Sequence, residues 1–205
     1  MKNNIPNFLY KNLNELNYVV LDLETTGFKP GPAAVTEIAA IRVEKGKEVS
    51  RIDTLVDPEM PVPPEITKIT GISNAMVKDK KKFKELLPDI QRIFEEAIFV
   101  SHNVPFDWSF FDYFYRKYLN KPLCMPSLCT LKMSRKMLKL DSNKLENVAK
   151  HFNVSLVGAH RAMNDTLAVK GILESFLSQL EKDGIKTGDE LYKKGLLCID
   201  FPGER

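Results

Sequence analysis

The chain is poor in cysteine, histidine and tryptophan, with 3, 3 and 1 respectively in 205 residues. Cys124, Cys129 and Cys198 are odd in number and form no Cys-x-x-Cys pair, which leaves neither a disulfide framework nor a zinc knuckle; they read as ordinary thiols. Long apolar runs are missing too. Nothing approaches the ~20 residues needed to cross a bilayer, and the polar start MKNNIPN has no apolar signal core. A soluble, intracellular protein is expected, cytoplasmic and with no membrane partner. A strong charge of either sign is also lacking. The formal +3 does not mark a nucleic-acid binder, because phosphate contact depends on where the lysines lie. The one basic stretch, Lys78-Asp-Lys-Lys-Lys-Phe-Lys84, reads as a solvated helix entrance and receives no site role. There is no internal repeat and no low-complexity linker.

What is present is a 43% hydrophobic composition, enough to fill the core of one domain. From Tyr18 to Glu24 the residues alternate, so that Val19, Leu21 and Leu23 share one face of a strand and Val20, Asp22 and Glu24 the other. Val35 to Val43 and Glu48 to Val56 are β-rich and flank a Glu-Lys-Gly-Lys turn signal, so an antiparallel hairpin should follow the first strand. After Asp57-Pro58 the pattern turns helical, with Pro88 placed to start a helix whose apolar side is Ile90, Ile93, Phe94 and Ala97. Ile98-Phe-Val100 reads as a buried strand ending at His102, and Asn103 with Pro105 makes a helix start. Further helices are expected near Thr130 to Leu138, Lys144 to Phe152 and Arg161 to Leu180. Residues 1–17 are read as an N-terminal arm, 18–181 as the domain and 182–205 as a tail apolar enough to pack on the domain or on a partner.

Three acidic islands stand out: Asp22-Leu-Glu24, His102-Asn-Val-Pro-Phe-Asp107 and His160-Arg-Ala-Met-Asn-Asp165. Four carboxylates brought into one cleft would repel one another and raise their own pKa values unless a cation neutralised them. Hydrolysis of a phosphodiester requires stabilising charge on the attacked phosphoryl group and on the departing oxygen. Two divalent ions about 4 Å apart do both, and Mg²⁺ or Mn²⁺ favours oxygen ligands. Asp22 and Glu24, one strand repeat apart, could share the ions, with Asp107 and Asp165 arriving from separate helices. His160 lies five positions before Asp165, a spacing that does not share a helix face, so it belongs on the loop before the helix. An imidazole there could accept a proton near neutral pH, and Gly158 would let the loop move.

The sequence resembles the DEDDh branch of the DnaQ-like 3'-to-5' exonuclease superfamily over about residues 18–178. The match rests on Asp22-Leu-Glu-Thr-Thr-Gly27, His102-Asn-Val-Pro-Phe-Asp107 and His160-Arg-Ala-Met-Asn-Asp165, with Thr70-Gly-Ile72 and Lys144-Leu145 as lesser agreements. The resemblance implies an α/β ribonuclease H-like fold with a mixed central sheet flanked by helices. It further implies metal ligation by Asp22, Glu24, Asp107 and Asp165, His160 as general base, and contacts to the terminal nucleotide from Thr25, Thr26, Gly27 and Phe28, of which Phe28 has burial in the core as its alternative. The activity implied is release of nucleoside 5'-monophosphates from single-stranded or frayed DNA 3' ends, in proofreading or repair beside a polymerase subunit. An RNA 3' exonuclease and a non-catalytic polymerase accessory module are the alternatives. His102 and Asn103 are expected to tie strand to helix, and Trp108, Phe110, Phe111, Tyr113, Phe114 and Tyr115 to pack in the core.

Overall fold

Strand β1 (Asn17–Thr25) buries side chains on both of its faces, which places it inside a sheet covered on two sides. Val19, Leu21 and Leu23 join one apolar cluster, and Tyr18 and Val20 join another. The structure is a computed structural model that describes residues 5–199; Met1 to Asn4 of the polar start and Phe201 of the tail lie outside the described residues.

β1 pairs antiparallel with β2 (Val35–Glu44), which pairs antiparallel with β3 (Lys47–Leu55). The expected hairpin turn is Lys45-Gly46, with φ of 49° and 73°, the left-handed pair that a tight two-residue connection demands. On its other side β1 runs parallel to β4 (Ile98–Ser101), and β4 runs parallel to β5 (Ser127–Cys129). β6 (Leu197–Cys198) closes that edge antiparallel, giving the order β3-β2-β1-β4-β5-β6.

After the short helices α1 (Pro64–Thr70) and α2 (Asn74–Val77), helix α3 (Phe83–Phe94) and helix α4 (Val104–Leu119) cover one face of the sheet. The aromatic cluster is core, as expected, except for Tyr113, which is half-buried against its edge. Phe83 stacks on Phe114 with ring centroids 4.1 Å apart, and Phe99 of β4 meets Phe111 edge-on at 5.7 Å. Helix α3 starts five residues before Pro88. Its start signal is Glu85, whose carboxylate accepts the Lys82 backbone N–H at 2.8 Å. Pro88 therefore sits inside the helix and removes one backbone bond, a loss opposed by burial of Phe83, Leu86, Leu87, Ile90, Ile93 and Phe94.

The opposite face carries α5 (Thr130–Met137), α6 (Leu145–His151) and α7 (Ala162–Lys182), each within two residues of its expected span. α8 (Gly188–Lys193) follows. Leu9, Leu13 and Leu16 are buried in the same cluster as Leu191, Leu196, Leu197 and Ile199. The segment before β1 is joined to the residues before α8 by the Leu13 N–H donating to the Lys186 carbonyl at 2.7 Å. No described helix is long and apolar enough to cross a membrane.

Candidate active site

The same alternation that makes β1 central also aims its last residues. Asp22 and Glu24 continue the face that carries Val20, at the carboxyl end of the strand, and both remain partly accessible. Two helices bring acids to them. Asp107 lies in the first turn of α4, directly after β4, and Asp165 lies in the first turn of α7. Both occupy the end where the helix dipole favours a carboxylate. Helix α7 crosses β1 and β2 at this point, with the Thr166 hydroxyl 3.4 Å from the Ala39 carbonyl.

Burial and mutual repulsion dominate the electrostatics. The Asp22 carboxyl is driven well above the usual range, first by burial and then by the negative charges of Asp107, Glu24, Asp165 and Glu37. Glu24 is pushed up to about 8 by burial, with repulsion from Asp165, Glu37 and Asp107 adding to it. Asp107 rises to about 7 through burial, against the Ser101 hydroxyl and the backbone N–H groups of Asp107 and Leu23. Asp165 is raised by burial and restrained by the His160 backbone N–H and imidazole. Oδ1 of Asp107 and Oδ1 of Asp165 are buried with no hydrogen-bond donor. One open oxygen on each of two acids that both act on Asp22 leaves hard-oxygen donors of the kind a divalent cation takes.

The loop before α7 places His160 as expected. Ligating atoms of Glu24, His160 and Asp165 all lie within 4.8 Å of one another, and the imidazole is exposed. Gly158 has a conformational reason to be glycine. It adopts φ +69°, and a Cβ there would come within 2.9 Å of the Asn164 side-chain nitrogen, which donates to the Gly158 carbonyl at 2.8 Å. His160 is itself left-handed at φ +66°, and its N–H donates to Asp165 Oδ2 at 3.1 Å.

The residues after Glu24 divide into two kinds. Thr25 and Thr26 are each 7% exposed, and their side chains face inward. The Thr25 hydroxyl donates to the Gly27 carbonyl at 2.6 Å, and the Thr26 hydroxyl accepts the Ala34 N–H at 2.9 Å. They shape the loop. Phe28 is 86% exposed, which rules out a core role. His102 ties three segments: Nδ1 lies 3.0 Å from the Thr130 hydroxyl and Nε2 lies 2.9 Å from the Asn143 carbonyl. Because a carbonyl only accepts, Nε2 carries the proton.

Sequence reasoning missed Glu37 and gave Arg161 no role. Glu37 is buried beside the carboxylates, and its partner Arg161 stands next to His160. An acid inside the apolar run Val-Thr-Glu-Ile-Ala-Ala-Ile was the available signal, since a buried carboxylate requires a partner.

A mixed sheet that gathers carboxylates and an imidazole at the carboxyl end of its central strand is the architecture of a ribonuclease H-like nuclease. A family model described as Exonuclease (RNase_T) matches residues 19–173. The chain is 36% identical over 170 residues to the DNA polymerase III subunit epsilon of Aquifex aeolicus, covering 82% of this chain and 84% of that protein. It is also 36% identical over 178 residues to the PolC-type DNA polymerase III of Caldanaerobacter subterraneus, of which the match spans only 13%. Among solved structures, Exonuclease X in complex with 5' overhanging duplex DNA superposes with a TM-score of 0.64 at 24% identity. That superposition covers 85% of this chain and 98% of the other. The chain belongs to the exonuclease family, and the resemblance to the DnaQ-like 3'-to-5' exonucleases holds. That superfamily depends on divalent metal.

Proposed function

We propose that the protein removes nucleotides from the 3' end of single-stranded or frayed DNA as nucleoside 5'-monophosphates. The observation that carries this is the convergence of Asp22, Glu24, Asp107 and Asp165 at the end of β1, with the exposed His160 imidazole beside Glu24 and Asp165. In this reading the four carboxylates hold two divalent cations, Mg²⁺ or Mn²⁺. Those ions, when bound, supply Lewis-acid stabilisation of charge on the phosphoryl group and the leaving oxygen. The buried Oδ1 atoms of Asp107 and Asp165 support that role, since each has a lone-pair site with no donor.

His160 takes the proton of the attacking water. Its ring is exposed enough to reach substrate, while its backbone is held by Asp165. Thr25, Thr26 and Gly27 shape the floor on which the terminal nucleotide rests, and the exposed Phe28 ring stacks on a base. The likeness to an epsilon subunit and to a segment of PolC-type polymerases supports a proofreading role in company with a DNA polymerase.

The test is product analysis on labelled single strands of matched DNA and RNA, with Mg²⁺, Mn²⁺ or EDTA. The expected result is stepwise 3' shortening of DNA to 5'-monophosphates that stops with EDTA. Faster loss of RNA would reassign the substrate, and inactivity on both would leave only the accessory-module reading. Co-purification with a DNA polymerase subunit tests the proofreading assignment separately.

A further inference from the structure

The loop that carries His160 is tied to the sheet by a pair of charges outside the four acids and the imidazole. Glu37 stands on β2 directly opposite Glu24 in the β1–β2 register, and it is only 2% exposed. A lone carboxylate in that position would be costly, and the neighbouring acids make it more so. Both of its oxygens are satisfied by adjacent residues of the third acidic island. Arg161 Nη2 donates to Oε1 at 2.7 Å, and Nε lies 3.2 Å from Oε1 and 3.3 Å from Oε2. The Ala162 backbone N–H, the first of α7, donates to Oε2 at 2.9 Å. A planar guanidinium and a helix-end amide together fix direction as well as distance.

His160 is the residue immediately before this grip. Its φ of +66° is uncommon for a residue with a side chain and persists only where the surroundings impose it. The two other bonds that shape the loop, from Asn164 to the Gly158 carbonyl and from the His160 N–H to Asp165, belong to α7, the helix the loop leads into. The Glu37 bonds come from the sheet, where Asp22 and Glu24 stand. With the Thr166 hydroxyl on the Ala39 carbonyl one turn further on, they tie the loop and the start of α7 to the strand carboxylates.

We propose that Glu37 is a positioning residue for the reaction: by clamping Arg161 and the first amide of α7, it fixes the reach of the His160 imidazole without itself touching substrate. The proposal rests on His160 acting as the base. A buried pair of merely structural value would change folding stability and leave the chemical step alone. An acid working through Glu24 would instead change metal affinity, by about 10- to 100-fold where an outer partner is lost.

The experiment is a mutant cycle on the full chain, followed in single turnover over hours with Mn²⁺ and 3'-labelled single-stranded DNA. Glu37→Gln and Arg161→Gln should each slow the chemical step about 10- to 100-fold, the cost of a small misplacement of a catalytic group. The Mn²⁺ activation midpoint and KM should move by less than about twofold. Arg161→Lys, which keeps the charge but not the two-pronged grip, should fall between. Added to His160→Ala, either clamp substitution should slow the reaction by no more than about twofold further, since both act through one group. Amide exchange at residues 158–162 should quicken in both clamp variants while β1 and β4 are unmoved. Multiplicative losses in the double variants, a displaced Mn²⁺ midpoint, or unchanged loop exchange would overturn the proposal. A His160→Ala enzyme of undiminished rate would overturn the base assignment and the clamp with it, a failure read from a different variant. If Glu37→Gln does not fold, Arg161→Gln, whose side chain is 47% exposed, runs the same cycle.

Discussion

The two halves of strand β1 share one backbone and one pleat, yet solve opposite problems. The first half, Tyr18 to Leu21, is apolar and buried on both faces. The second half places Asp22 and Glu24 where burial and neighbouring acids raise both carboxyls. One half contributes stability through apolar burial, and the other spends some of it on a cluster of mutually repelling acids. The comparison teaches that an enzyme site of this kind is a local departure from the rules that build its own strand, repeated at the starts of α4 and α7.

The sharpest way to break the comparison is to neutralise one acid. Asp22→Ala should lower the exonuclease rate by about a thousandfold or more, since several kcal/mol of charge stabilisation depend on the cation site. The metal-free protein should lose no thermal stability, and a large drop in Tm would show that Asp22 serves the core instead. The converse substitution is Phe99→Ala in the neighbouring strand β4, where the ring is fully buried among Phe94, Trp108 and Phe111. It should cost about 3–5 kcal/mol of folding stability, measured by urea denaturation, with residual folded enzyme keeping its turnover. Phe28→Ala should raise KM for single strands by about tenfold, within the ~1–3 kcal/mol of one stacked base, with Tm unchanged. An unaltered KM would remove Phe28 from the substrate site.

A smaller effect sharpens the comparison through pH. Raised carboxyls bind protons in the folded state that the unfolded chain has released, so the stability these groups contribute is fully present below the ordinary carboxylate range and is lost as pH rises. Glu24 and Asp107, raised to about 8 and about 7, set the window. In EDTA, Tm should fall between about pH 5 and about pH 8. The Asp107→Asn variant should show a shallower fall, and a rising Tm over that range would contradict the assigned directions.

Much of this was legible in the sequence because it is local. The alternation from Tyr18 to Glu24 announces β1 and the shared direction of its acids, and the Lys45-Gly46 turn announces the β2–β3 hairpin. The spacing of His160 and Asp165 places one on a loop and the other on a helix. What stayed hidden depends on distance along the chain. β5 and β6 have three and two residues, too few for any periodicity, and exist because neighbouring strands pair with them. Helix α3 begins at a glutamate cap rather than at its proline, because buried residues before Pro88 extend the apolar face. Glu37 and Arg161 meet across 124 positions, and only the folded sheet brings them together.

The measurement closest to the central claim, that the acid half of β1 is built around divalent cations, is the melting temperature of the protein titrated with Mn²⁺ at neutral pH. A ligand that binds only the folded state raises Tm progressively with its concentration. Wild-type protein should show that rise, and Asp22→Asn and Asp165→Asn should show little or none. Equal stabilisation of all three proteins, or none in the wild type, would contradict the account.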